Sequence, residues 1–139
     1  MRGKCSWFGG PDDTGMSETE TLSLYPDRRG RDLNPDMFYC ALRIRWDAVD
    51  GISTDALKEF FRDKIKVVVR NPANERGIGC WIVDWGPARS TGRMIDLSPG
   101  AMRELGLQTD DDVEIFLLAV GQNASGPGPG MFIAKRKEG

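Results

Sequence analysis

Apolar residues recur at every second position over 37–46, where Phe38, Cys40, Leu42, Ile44 and Trp46 share one side of an extended chain. That period predicts a strand with one face in a core. Leu22 and Leu24 alternate in the same way in the segment TLSLYP, 21–26, with Pro26 closing it. Residues 65–71, IKVVVRN, are a strand of β-branched residues. Residues 80–85, CWIVDW, form a nearly continuous apolar run that predicts a strand buried on both sides. DDVEIFLLAV, 111–120, predicts a further strand, and CSWFGG, 5–10, a short strand running into a glycine turn. The helical period shows over 53–64, where Ser53 or Thr54 caps and Ala56, Leu57, Phe60 and Phe61 fall on one face. A second helix follows Ser98, with Pro99 in its first turn and Gly106 as its stop. The pattern is mainly β with two short helices, which predicts a small barrel.

Composition narrows this picture without changing it. The 139 residues suffice for one core, and 40% hydrophobic with 29% charged residues is an ordinary globular balance. A formal charge of -2 gives no electrostatic reason to expect nucleic acid. Asp27 and Asp32 flank the Arg28, Arg29 and Arg31 cluster, which reads as a solvated loop. With no histidine, the commonest general base is missing, and Cys5, Cys40 and Cys80 lack metal-ligand spacing, so neither metal nor cofactor is expected. The three cysteines allow one disulfide plus a thiol, or three buried thiols. No run reaches the roughly 18–20 apolar residues of a membrane span. Residues 1–5 are basic but lack the apolar stretch of a signal peptide.

The candidate chemistry lies in IVDWGPARSTGRMIDLSPGAM, residues 82–102. Asp84 ends an apolar run before Trp85-Gly86-Pro87, and Asp96 sits between Ile95 and Leu97. A carboxylate at the end of such a run, followed by a tight turn, is placed to face a groove. Asp96 just precedes a helix start, where free N–H groups favour an anion. Environments that set two carboxyl groups apart let one serve as an acid while the other stays an anion. Each aspartate also has a structural reading, as an acceptor for backbone N–H groups. The run Asp110–Asp112 and the residues Glu18 and Glu20 read as solvated surface, and 11–20 as an exposed polar loop.

Residues 65–118 resemble the second half of the double-psi β-barrel of rare lipoprotein A proteins and expansins. The matching residues are Asp84-Trp85-Gly86-Pro87, Gly92-Arg93, Asp96-Leu97-Ser98 and Leu105-Gly106, with CSWFGG similar to the opening of those barrels. The resemblance implies a six-stranded double-psi β-barrel over 1–120, followed by a Gly/Pro-rich loop and an edge strand or tail over 121–139. It also implies activity on cell-wall glycan, peptidoglycan foremost, by lytic-transglycosylase-like cleavage, with Asp84 as acid/base and Asp96 as its electrostatic or orienting partner. Ser6, Trp7, Tyr39, Trp85 and Arg93 are the candidate substrate-binding residues. Trp7, Tyr39 and Trp85 are expected to border one cleft with Asp84, and Arg93 to pair with one of the aspartates. The rare lipoprotein A group carries a histidine in the segment matching 38–41, where this chain reads FYCA; expansins lack it and loosen polysaccharide without hydrolysis. A non-hydrolytic wall-binding protein is therefore the alternative. A third reading is an interaction module, either a protease inhibitor or a phage structural component. The expected partner is a wall polysaccharide and the expected state a monomer, reaching the wall after removal of a leader or by phage delivery.

Overall fold

β-Branched and aromatic residues favour a pleated surface, and the runs richest in them become strands. The computed structural model describes residues 1–43, 54–121 and 126–133. Its strands are β1 (Arg2–Trp7), β2 (Tyr39–Leu42), β3 (Ile65–Arg70), β4 (Gly77–Trp85), β5 (Arg93–Leu97) and β6 (Asp112–Ala119). Two α-helices accompany them, α1 (Thr54–Lys64) and α2 (Pro99–Leu105). The strands close into a barrel in the order β1-β5-β2-β4-β3-β6. β1 runs parallel to β5 and β2 parallel to β4, whereas the other pairings are antiparallel.

The barrel interior is filled by alternate residues of every strand, among them Cys5, Cys40, Leu42, Val67, Val69, Ile82, Ile95, Leu97, Val113 and Ile115. Ala101, Met102 and Leu105 of α2 join the same cluster. Ser98 caps α2 by accepting the Ala101 N–H at 3.1 Å, and Gly106 ends it in the left-handed conformation at φ 64°. Both boundaries are those that Ser98 and Gly106 predict. A smaller cluster of Phe8, Leu22, Leu33, Tyr39, Ala41, Val83 and Met131 covers part of the outer surface. All three cysteines are buried free thiols. Burial raises the Cys5 and Cys80 thiols to about 12 and places Cys40 well above the usual thiol range.

Three expectations change. TLSLYP is not a strand: Thr21 forms a single bridge to Arg29, and Leu22 N–H bonds to the Arg28 carbonyl across a turn. Leu22 and Leu24 are both buried but in different clusters, so their spacing of two reports two hydrophobic contacts rather than one pleated face. β2 is buried on both sides rather than one, because the second cluster covers Tyr39 and Ala41. On α1, Leu57 is buried and Phe61 packs on the core, whereas Ala56 is exposed and Phe60 is 48% exposed, so the buried face is narrower than the period predicts. Ile44, Trp46 and Ser53 lie outside the described residues. Among the described residues, no helix is long and apolar enough to cross a membrane.

Candidate functional site

The register of the barrel brings the two aspartates to one row. Ala41 of β2 pairs with Asp84 of β4 on one side and with Asp96 of β5 on the other. Ser6 of β1 pairs in turn with Asp96, so Ser6, Asp96, Ala41 and Asp84 lie side by side on four neighbouring strands. With strands about 4.8 Å apart, the two aspartate backbones stand two spacings, or roughly 10 Å, from each other. A register shift between Cys40 and Ala41 leaves Val83 as the extra residue of β4. Such a bulge re-aims the side chain that follows it, here Asp84. Val83 stays in the second cluster while Asp84 lines a cavity.

That cavity, of about 360 Å³, is lined by both Asp84 and Asp96. Ala41 lies between them, and Phe8, Met16, Thr21, Ser23 and the 85–88 turn complete the wall. The small side chain at position 41 matters, because any longer one would stand between the aspartates.

The two carboxyl groups have different surroundings. Asp84 Oδ1 accepts two backbone N–H bonds, from Trp85 at 2.8 Å and from Ser23 at 3.1 Å. Asp84 thereby ties the 21–26 loop to the end of β4. Among the described residues, nothing donates a hydrogen bond to the Asp96 carboxyl. Burial pushes its carboxyl up to about 6, against the opposing pull of Arg93 and with further upward contributions from Asp13 and Asp84. The helix start after Asp96 therefore does not keep it a ready anion. The first N–H groups of α2 are turned to other acceptors: Ala101 bonds to Ser98 Oγ and Gly100 to the Pro35 carbonyl.

The candidate binding residues are dispersed. Trp85 lines the aspartate cavity and stacks edge-on against Phe61 at 6.4 Å. Ser6 is half-buried in the same row of residues. Tyr39 is fully buried, and its hydroxyl donates to the Phe8 carbonyl at 2.8 Å, so it supports the wall from behind rather than bordering the cleft. Trp7, 43% exposed, opens onto a second cavity of about 550 Å³ lined also by Pro35, Pro99, Met102 and Leu107. The expectation of three aromatics on one cleft thus holds for Trp85 alone. Consecutive strand residues face opposite sides, and Trp7 follows Ser6. Arg93 pairs with neither aspartate of the site. Its Nε donates to Asp110 at 2.9 Å, because the start of β5 lies beside Lys4 and the segment leading into β6. Among the described residues, no cluster of acidic and thiol groups is arranged to hold a metal ion.

Sequence reasoning missed three participants. Ala41 looked like one more residue of an alternating strand, and only cross-strand register reveals its place between the carboxyl groups. Glu20 is exposed, as a solvated surface residue is expected to be, and it also lies at the cavity edge. Asp13, assigned to an exposed polar loop, is buried. The Asp-Asp-Thr-Gly composition around it did signal a side chain able to bond its own loop.

No protein-family model and no curated protein matches the chain.

Proposed function

We propose that the chain is a double-psi β-barrel acting on cell-wall glycan, and that it cleaves peptidoglycan strands in the manner of a lytic transglycosylase. The observation that carries the reading is the pairing of Asp84 and Asp96 across Ala41 in one cavity, one carboxyl held by backbone donors and the other desolvated. This asymmetry favours Asp96 as the proton carrier and Asp84 as the orienting group, the reverse of the roles expected from sequence. A carboxyl with a midpoint of about 6 keeps a usable protonated fraction near neutrality, roughly a tenth at pH 7. Asp96 would protonate the glycosidic oxygen as the bond to the muramyl anomeric carbon breaks. The resulting carboxylate then takes the proton from that sugar's 6-hydroxyl as its oxygen closes on the anomeric carbon. The same proton count is restored, no water enters, and one carboxyl group performs both transfers. Asp84 Oδ1 is committed to Trp85 and Ser23, which fixes the carboxylate and leaves Oδ2 as the acceptor for a substrate hydroxyl.

The absence of histidine from the chain favours a second reading, a non-hydrolytic expansin-like wall binder using the same cavity. Incubation with purified peptidoglycan, cellulose and chitin, followed by mass spectrometry of soluble products, separates the two. Anhydro-muropeptides that disappear with Asp96→Asn support cleavage. Binding without products supports the expansin-like reading, and the absence of both binding and products favours an interaction module.

A further inference from the structure

Asp13 is 8% exposed and has no place in the chemistry above. Its Oδ2 accepts the Gly9 N–H at 2.7 Å and its Oδ1 the Gly15 N–H at 3.0 Å, so one carboxylate closes the 9–15 loop across its base. The residues on either side of that loop, Phe8 and Met16, line the aspartate cavity. Within it, Gly9, Gly10 and Asp12 line the Trp7 cavity. The loop is therefore the partition between the two cavities, and Asp13 is its internal tie. Gly9 cannot carry a side chain here: its φ is 80°, and a Cβ would come within 2.6 Å of the Tyr39 hydroxyl. Loop, tie and Tyr39 thus form one packed unit behind the cavity wall.

We propose that Asp13 is a positioning residue of the Asp84–Asp96 site: its two backbone bonds fix the 9–15 loop, whose flanking residues Phe8 and Met16 wall the cavity that both aspartates line. Among the described residues, the charged and titratable groups around Asp96 are Arg93 on its own strand, Cys5 on β1, Asp84 on β4, Asp13 on the loop and Glu20 at the edge of the shared cavity. Arg93 opposes protonation of Asp96, and the two other aspartates favour it. Tyr39, on β2, is a second group that Asp13 acts on; its phenol is raised by burial first and by Asp13 second. The proposal rests on reading the two aspartates as one site, and on cleavage only for its last readout.

The test follows the Asp96 side-chain carboxyl by carbon-detected NMR across roughly pH 3 to 8 in the full chain. Asp13→Asn keeps the side-chain volume and an acceptor but removes the charge. The Asp96 midpoint should then fall by about half a pH unit or more. Asp13→Glu, which returns the charge, should bring the midpoint back toward that of the wild type. A merely structural tie would lower the melting temperature and leave the midpoint where it was. An unchanged midpoint in folded Asp13→Asn overturns the proposal. Should that variant not fold, Asp13→Ser, whose hydroxyl can accept the Gly15 N–H, is measured in its place with the same criterion. If the wild type releases anhydro-muropeptides, the alkaline limb of kcat/KM should move to lower pH in Asp13→Asn together with the NMR midpoint. A shifted midpoint with no product from the wild type supports the role of Asp13 and overturns only the lytic reading.

Discussion

The segment around Asp84 and the segment around Asp96 place the same side chain in one cavity by different means. β4 delivers Asp84 through a bulge to the head of a turn, where two backbone N–H groups converge on Oδ1. β5 delivers Asp96 within the sheet, between Ala41 on β2 and Ser6 on β1, two positions after a register shift of its own at Met94, and no described donor reaches its carboxyl. Asp84 is thus built into a corner and contributes to holding it. The Asp96 carboxyl takes no hydrogen bond from a described residue, and burial works against its charge. A carboxyl that the fold uses is poorly suited to give up or gain a proton. One that the fold only tolerates is free to do so.

The largest effect that could break this contrast is on activity. Asp96→Asn should lower glycan cleavage by several orders of magnitude while binding persists, since the loss is confined to proton transfer. Asp84→Asn, whose amide oxygen can still accept both backbone bonds, should lose far less. Product assays and binding isotherms on both variants check this, and equal losses would remove the assigned division of roles.

Next in size is the cost of truncation. Asp84→Ala leaves the Ser23 and Trp85 N–H groups without their acceptor and should destabilise by about 1–3 kcal/mol. Asp96→Ala removes no hydrogen bond from a described residue and should be neutral or stabilising at pH 7. Thermal melts of the two variants read the difference directly.

A smaller effect separates wild type from Asp96→Asn as pH changes. The Asp96 carboxyl titrates near 6 in the folded chain, above its ordinary value of 3.8, so the folded state holds this proton more tightly than the unfolded state. Below about pH 4 both states are protonated and burial costs little. As pH rises from about 4 to 6, the unfolded chain gives up the proton first and the wild type loses stability. Above pH 6 the variant should be more stable by on the order of 1–2 kcal/mol, allowing for solvent screening of a partly exposed group. Denaturant melts at pH 3.5 and pH 7.5 would show the gap opening, and a gap that opens in the opposite direction would mean Asp96 is held as an anion.

The smallest expected effect concerns the tryptophans. Trp85→Ala should weaken glycan binding more than Trp7→Ala, because only Trp85 lines the aspartate cavity. Fluorescence titration of each variant distinguishes them. An equal loss would place a single ligand across both cavities and over the 9–15 loop.

How much of this was legible in the chain depended on the distance over which each feature is decided. The pairing of Asp84 and Asp96 as candidates was visible because both stand in apolar company next to turn and cap residues. Their order of importance was not visible. It rests on Ser23, 61 positions away, reaching Asp84, and on Asp13 and Arg93 acting on Asp96 with opposite sign. Tyr39 looked exposed on the polar face of an alternating strand, but the Phe8–Met131 cluster covers that face. No periodicity within 37–46 could reveal a cover supplied by the opposite end of the chain.

The sequence by itself determined the local structure. Val67 and Val69 alternate into β3, Ser98 and Gly106 bound α2, and the 80–85 run demands burial, since capping, propensity and side-chain period act between residues a few positions apart. Only the tertiary structure decided that Ala41 lies between two carboxyl groups, that Asp13 is buried beneath its own loop, and that Trp7 faces a different cavity from Trp85. Barrel closure sets those relations through register between strands distant in the chain. A single bulged residue in β4 changes which side chain meets Ala41, and no local preference encodes that choice.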